Sequence, residues 1–417
     1  MERLLIEGNH RLNGEIGIHG AKNAVLPILA GTLLCKETVL HNCPRLSDVA
    51  AAESILETLG CKVSRAGETL VINAHNVAYC DPPEYLMREM RSSILFLGAI
   101  LARCGCARVS FPGGCELGAR PVDMHIEGLR KLGAVIEEDH GFFDCRVNGR
   151  LKGAKITLPF PSVGATENII LAAATAEGRT VILNAAREPE IQDLADFLNA
   201  CGAKIAVQGD YITVDGVEAL GNGEHAVIPD RIEAATYLCA VAITGGVVDL
   251  KRCRPGQLAA VLPVLEEMGC RLKLFENAIS LAAPQRLLAV RPIKTMPFPG
   301  FPTDAQAPLM AALCVSKGTT MIVENIFEAR YKHAGELLRM GARIETEGRV
   351  AVVEGVPELH SATVKCTDLR GGAALVIAAL AANGVSALTE LRHLDRGYAD
   401  LEAGLSALGA KITRERN

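Results

Sequence analysis

"RKLGAVI", residues 130–136, reads as the end of a helix followed by the start of a strand, and it has relatives along the chain. An apolar residue, a glycine, a small residue and then a strand-like pair recur in "ETLGCKV" (57–63), "NACGAKI" (199–205), "EEMGCRL" (266–272), "LRMGARI" (338–344) and "SALGAKI" (406–412). Glycine directly behind a periodic apolar segment predicts a left-handed residue that closes a helix. The six glycines stand about 70 residues apart, long for a solenoid unit but suited to a small α/β module.

Working outward from each glycine, every unit offers a helix rich in Ala and Leu. These are "NAVLPILAGTLL", "SSILFLGAILA", "ATENIILAAATA", "IEAATYLCAVAI", "DAQAPLMAALCV" and "GGAALVIAALAA". A short strand follows ("ARVSF", "RTVIL", "GVVDL", "TTMIV"), then a loop and a more amphipathic helix ending at the glycine. A helix apolar on nearly all sides belongs inside, with sheets packed against it. The expectation is an α/β protein of six β-α-β-α-β-like units in two lobes. One lobe spans residues 21–229; the other takes 230–417 and recovers residues 1–20. At 417 residues the chain also exceeds what one core usually serves.

Composition narrows the function. Apolar residues make up 49%, tryptophan is absent and aromatics reach only 4%, so the core is aliphatic. A net charge of −5 without long runs of one sign argues against a nucleic-acid grip. The first twenty residues lack a basic-then-apolar leader pattern, and the most apolar stretch, residues 371–382, is too short to span a bilayer. No membrane role is expected, and a cytoplasmic location is. Fourteen cysteines are scattered without a C-x-x-C pair, which predicts small buried thiols rather than zinc or disulfides.

The loops before the second helices carry a different message. "NCPRLSD", "PGGCELGARPVD", "NAAREPEIQD", "RCRPGQLAA", "NIFEARYKHA" and "LRHLDRGYAD" all contain arginine, among them Arg120, Arg330 and Arg396. The starts of the first helices add Lys22, Arg91, Arg231 and Arg370. A helix N-terminus already favours an anion, and a cation on the same turn sharpens that preference. Any one arginine could simply pair with a neighbour, as Arg187 with Glu188 or Asp395 with Arg396. The set points to a small polyanionic substrate. "PSVGATEN" offers Ser162 and a small-residue turn that could hold phosphate or merely cap a helix. "PGFPTDAQAP" places Asp304 at a helix start, as an N-cap or as a general base. Cys115, on a glycine turn near several cations, has the setting of a reactive thiol.

The phrases "GAKNA", "PGGCELGARPVD", "PSVGATEN", "FPTDAQAP" and "TDLRGGAAL", in this order, strongly resemble the UDP-N-acetylglucosamine 1-carboxyvinyltransferases, enolpyruvyl transferases of the EPSP synthase family. That resemblance runs to about Ile412. It implies a two-lobed inside-out α/β barrel and two anionic substrates, phosphoenolpyruvate and UDP-N-acetylglucosamine, with no cofactor or metal. It implies Asp304 as acceptor of the sugar hydroxyl proton and Cys115 as general acid or product-release group, alkylated by a phosphonate epoxide of the fosfomycin type. Lys22, Arg120 and Arg396 would hold phosphoenolpyruvate beside Asn23. Arg91, Pro121, Val122, Asp123, Met124, Ser162, Val163, Gly164 and Ile326 would contact the nucleotide sugar, with Arg330 and Arg370 steering phosphate. Some members carry lysine just before the S-V-G turn, where this chain has Phe160 and Pro161. The rivals are a transferase acting on shikimate 3-phosphate and a catalytically silent nucleotide-sugar binder.

Overall fold

The six glycines behind the amphipathic helices all have positive φ, from +90° at Gly341 to +103° at Gly409. Each lies one residue beyond a helix C-cap, for example after Leu59, Leu132 and Leu408. A strand then starts within a few residues, at Lys62, Ala134, Ile205, Arg271, Arg343 and Lys411. A side chain at such φ would be strained, so glycine is what permits the chain to reverse there.

The computed structural model describes residues 2–113 and 122–416. They form a mixed α/β fold whose described residues fall into two units, 20–228 and 2–19 with 229–416.

In the first unit, helices α1 (Lys22–Thr32), α2 (Leu95–Cys104) and α3 (Val163–Ala173) pack on one another. In α1 only Asn23 escapes burial, and in α3 every residue from Ala165 on is buried. Each fully buried Leu or Ile contributes about 1.5–3 kcal/mol relative to exposure, so helices this apolar are stable only when covered on all sides. Two four-stranded sheets and one three-stranded sheet are built from the intervening segments. In the three-stranded sheet, Phe142–Val147 is central and Cys106–Ser110 is an edge.

The second unit repeats this logic with α4 (Arg231–Thr244), α5 (Thr303–Leu313) and α6 (Leu369–Ala381), again in mutual contact. Three four-stranded sheets and one strand pair accompany them. Arg3–Glu7 lies between Val385–Thr389 and Lys411–Glu415, antiparallel to both, while Asn13–Gly17 runs parallel to Val247–Lys251. Carboxylates cap two of these helices. Asp230 Oδ1 accepts from the amides of Ile232 and Glu233 at 2.7 and 3.0 Å, and Asp368 Oδ1 from those of Arg370 and Gly371 at 3.1 and 2.9 Å. Among the described residues no helix is long and apolar enough to cross a membrane.

One contact fixes how close α2 and α3 come. The Gly98 amide donates to Asn168 Oδ1 at 2.8 Å, and a β-carbon on Gly98 would stand 2.3 Å from that oxygen and 2.5 Å from the Asn168 carbonyl. Alanine normally stabilises a helix interior over glycine by up to about 1 kcal/mol. Here Gly98→Ala is expected to destabilise by about 1–3 kcal/mol through overpacking, read as a lower urea midpoint. A raised midpoint would mean that the two helices have room to part.

Candidate active site

Asp304 is the second residue of α5, whose N-cap is Pro302, so it is not the N-cap. Its carboxylate is gripped from both sides. Arg330 Nη2 donates to Oδ1 at 2.8 Å, and Arg370 Nε and Nη2 donate to Oδ2 at 3.2 and 3.1 Å. Both arginines are 2% exposed, whereas the Asp304 side chain keeps 26% of its surface open. Arg370 also lies over the Tyr398 ring, 5.2 Å from its centroid. Burial works against the Arg370 charge, but Tyr398, Asp304 and Asp230 outweigh it and raise its pKa above the ordinary value. Arg330 anchors to the Thr303 carbonyl at 3.1 Å and lies over Phe327, while its buried Nε has no hydrogen-bond partner among the described residues.

Glu324, fully buried, holds this corner together. Its Oε1 accepts from the Thr295 hydroxyl at 2.8 Å and from the amides of Ile326 and Phe327 at 2.8 and 3.1 Å. Its Oε2 accepts from the Thr303 hydroxyl at 2.9 Å. One carboxylate thereby sets the backbone at Ile326 and the helix start that carries Asp304. Arg396 closes the short helix Arg392–Asp395 and is partly buried. Its neighbour Asp395 is taken by Arg414 at 2.7 Å.

In the first unit, Lys22 opens α1, almost fully buried, with its Nζ 2.7 Å from Asp48 Oδ2. Asn23 beside it is exposed. Ser162 is the N-cap of α3, its Oγ accepting from the Ala165 amide at 3.3 Å, and Val163 and Gly164 form the partly open first turn. Arg91 begins the 3-10 turn Arg91–Ile94 that leads into α2. Val122 caps the helix Asp123–Lys131, with Asp123 exposed and Met124 half-buried in its first turn. Cys115, Arg120 and Pro121 lie outside the described residues.

His125 joins three of these pieces, although its type and spacing gave no sign of it. The Asn168 side-chain amide donates to His125 Nδ1 and to the Ile94 carbonyl, both at 3.0 Å, while its oxygen serves Gly98. Gly164 packs directly on the imidazole, where an added β-carbon would approach Cε1 to 3.0 Å. Both amide hydrogens of Asn168 are thus committed, and His125 Nδ1 must stay an acceptor. Burial first, and the Arg91 charge second, pull its pKa down to about 4. Asp48, Glu324 and Asn168 were likewise missed, since each matters through a partner distant in sequence.

Taken together, the second unit presents an oriented carboxylate on two buried guanidinium groups, and the first presents a lysine and small-residue turns at helix N-termini. Such sites bind and position anions and can take a proton from a hydroxyl. Among the described residues no group of three His, Cys, Asp or Glu side chains could hold a metal ion.

A family model described as EPSP synthase (3-phosphoshikimate 1-carboxyvinyltransferase) matches residues 6–405, and the chain belongs to that family. Within it, the chain is 49% identical over 416 residues to UDP-N-acetylglucosamine 1-carboxyvinyltransferase 2 of Caldanaerobacter subterraneus, covering 99% of this chain and 100% of that one. It is 51% identical over 420 residues to UDP-N-acetylglucosamine 1-carboxyvinyltransferase 1 of Symbiobacterium thermophilum, covering 99% and 95%. The enolpyruvyl transferase NikO from Streptomyces tendae superposes with a TM-score of 0.90 at 26% identity, over 99% of this chain and 98% of that one. An EPSP synthase from Acinetobacter baumannii shares the fold, with a TM-score of 0.75 at 18% identity over both whole chains.

His125 gives a pH signature. Unfolded, the imidazole takes a proton below about pH 6.5, whereas the folded chain resists protonation down to about 4. Between these values the unfolded state holds more protons, so stability falls as pH falls. From pH 7 to 5 the loss from this group is expected to reach about 2 kcal/mol. Urea unfolding at both pH values checks it, with His125→Gln expected to flatten the slope. An unchanged slope in the variant would mean that His125 is not held neutral.

Proposed function

We infer that this chain transfers the enolpyruvyl group of phosphoenolpyruvate to the 3-hydroxyl of UDP-N-acetylglucosamine and releases phosphate, the first committed step of peptidoglycan precursor synthesis. The observation that carries this reading is identity near one half to transferases of that name over nearly the whole chain. The residues such chemistry needs, Lys22, Cys115, Arg120, Asp304 and Arg396, are all in the sequence. Both substrates are cytoplasmic metabolites, and the reaction is placed there.

The sugar oxygen adds to C2 of phosphoenolpyruvate while C3 gains a proton; C3 then loses a proton as phosphate leaves. No electrons are exchanged, so positioning, proton transfer and charge stabilisation supply the rate. Asp304 accepts the hydroxyl proton. Two guanidinium groups hold and aim its carboxylate. Cys115 delivers the proton to C3 or acts in product release. Lys22, Arg120 and Arg396, with Asn23, hold the phosphate and carboxylate of phosphoenolpyruvate, and Arg330 and Arg370 steer phosphate. Arg91, Pro121, Val122, Asp123, Met124, Ser162, Val163, Gly164 and Ile326 meet the nucleotide sugar. The first helix turn at Gly164 supplies backbone donors to the diphosphate in place of the lysine that Phe160 and Pro161 replace.

The fold proposal goes with it: an inside-out α/β barrel of six units, with lobes 21–229, carrying the Cys115 loop, and 1–20 with 230–417. The recurrence of a positive-φ glycine behind every amphipathic helix supports it.

Phosphate release from phosphoenolpyruvate is the test, with UDP-N-acetylglucosamine and shikimate 3-phosphate as alternative acceptors. Release with the nucleotide sugar alone is expected, and release only with shikimate 3-phosphate would overturn the reading. Asp304→Ala is expected to lower kcat by about a hundredfold to ten-thousandfold, with nucleotide-sugar affinity changed by less than about threefold. Equal losses in both would make Asp304 a binding residue. A fosfomycin-type epoxide is expected to add once, at Cys115, by peptide mapping.

A further inference from the structure

Burial was expected of the cysteines other than Cys115, and of the thirteen described it fails at three: Cys80 and Cys104 are partly open and Cys106 is exposed. Two of these meet. The Cys106 thiol donates to Cys80 Sγ at 3.4 Å, and the Cys80 thiol donates to Asp81 Oδ1, also at 3.4 Å. The same Asp81 oxygen accepts from the Arg108 amide at 3.1 Å, on the free edge of the strand Cys106–Ser110. Asp81 thus pins the irregular stretch before the helix Glu84–Glu89 to that edge and holds the two sulfurs together.

We propose that Cys80 and Cys106 form a redox-active dithiol site, closed by a peroxide and reopened by a small thiol. Going from 3.4 Å to a bond of about 2.05 Å needs the sulfurs to approach by roughly 1.4 Å, within reach of side-chain rotation. Cys106, the more open thiol, meets the peroxide, takes one oxygen to become the sulfenic acid and releases water. The Cys80 sulfur then displaces hydroxide from the Cys106 sulfur, and its proton passes by way of Asp81 to make a second water. Two thiols and one peroxide give one disulfide and two waters. Two molecules of a small thiol reverse it, leaving as their own disulfide.

Burial, with Cys106 and Asp81 adding to it, pushes the Cys80 thiol up to about 12. That keeps Cys80 protonated at rest and leaves the first step to Cys106, so that in the second step Asp81, already hydrogen-bonded to the Cys80 thiol, must take its proton as the S–S bond forms. The location gives the bond a consequence. Cys106 starts the strand Cys106–Ser110, three residues beyond which Gly113 sits so close to the Arg88 carbonyl that a β-carbon would lie 2.0 Å from it. A disulfide would therefore tie together the two stretches that meet just ahead of the segment bearing Cys115.

The test uses the full chain, reduced and freed of reductant, treated with equimolar hydrogen peroxide, then alkylated and digested. Alkylation at Cys80 and Cys106 is expected to fall together by about tenfold, with a linked peptide that a phosphine reductant separates. Both Cys106→Ser and Cys80→Ser are expected to lose that peptide. Full alkylation of both residues after treatment, or a link from Cys106 to Cys104 or Cys115 instead, would overturn the proposal. These readouts do not depend on turnover and stand whatever the acceptor assay gives.

Discussion

A helix that is apolar on every side can offer polar chemistry only at its ends. That constraint organises the molecule. Lys22 opens α1, Arg91 precedes α2, Ser162 caps α3, Arg231 opens α4, and Asp304 and Arg370 are the second residues of α5 and α6. Loop length and sheet pairing vary from unit to unit, but the place where a charge can stand without being buried in hydrocarbon does not.

Three of the four cations, Lys22, Arg231 and Arg370, lie in the first turn of an α-helix, where the macrodipole disfavours them. Each is offset locally. Lys22 has Asp48, Arg370 has Asp304 and the Asp368 cap, and Arg231 follows the Asp230 cap. A sequence selected for stability alone would put Asp or Glu at these positions, as it does with Asp123 in the first turn of Asp123–Lys131 and Glu190 in that of Pro189–Ala200. Departures from a local rule, repeated at equivalent places and compensated by specific partners, are where function rather than folding is to be sought.

What could be read from the sequence follows from the range of the interactions involved. The glycine behind each amphipathic helix is a local backbone requirement, so its position and its left-handed conformation were both legible. The buried helices were legible from their lack of a polar face. Partners were not. Nothing near Asp304 in sequence says that Arg330 and Arg370 will grip it, or near Asp395 that Arg414 will reach it from the last strand. His125 gave no signal, because its neutrality comes from burial and the Arg91 charge, and the acceptor role of its Nδ1 from an amide forty-three residues away whose hydrogens are both in use. The open thiols at Cys80 and Cys106 come together through a strand edge that composition cannot reveal.

The overall charge illustrates the same point. A chain with net −5 looks ill suited to two anionic substrates. Yet Arg330 and Arg370 are buried and share a single carboxylate, Asp304, which offsets only one of their two charges. Removing that acid would leave two guanidinium groups facing each other in a poorly hydrated corner, which costs more than the pairing does. Asp304 is therefore bound to its arginines whatever chemistry it performs.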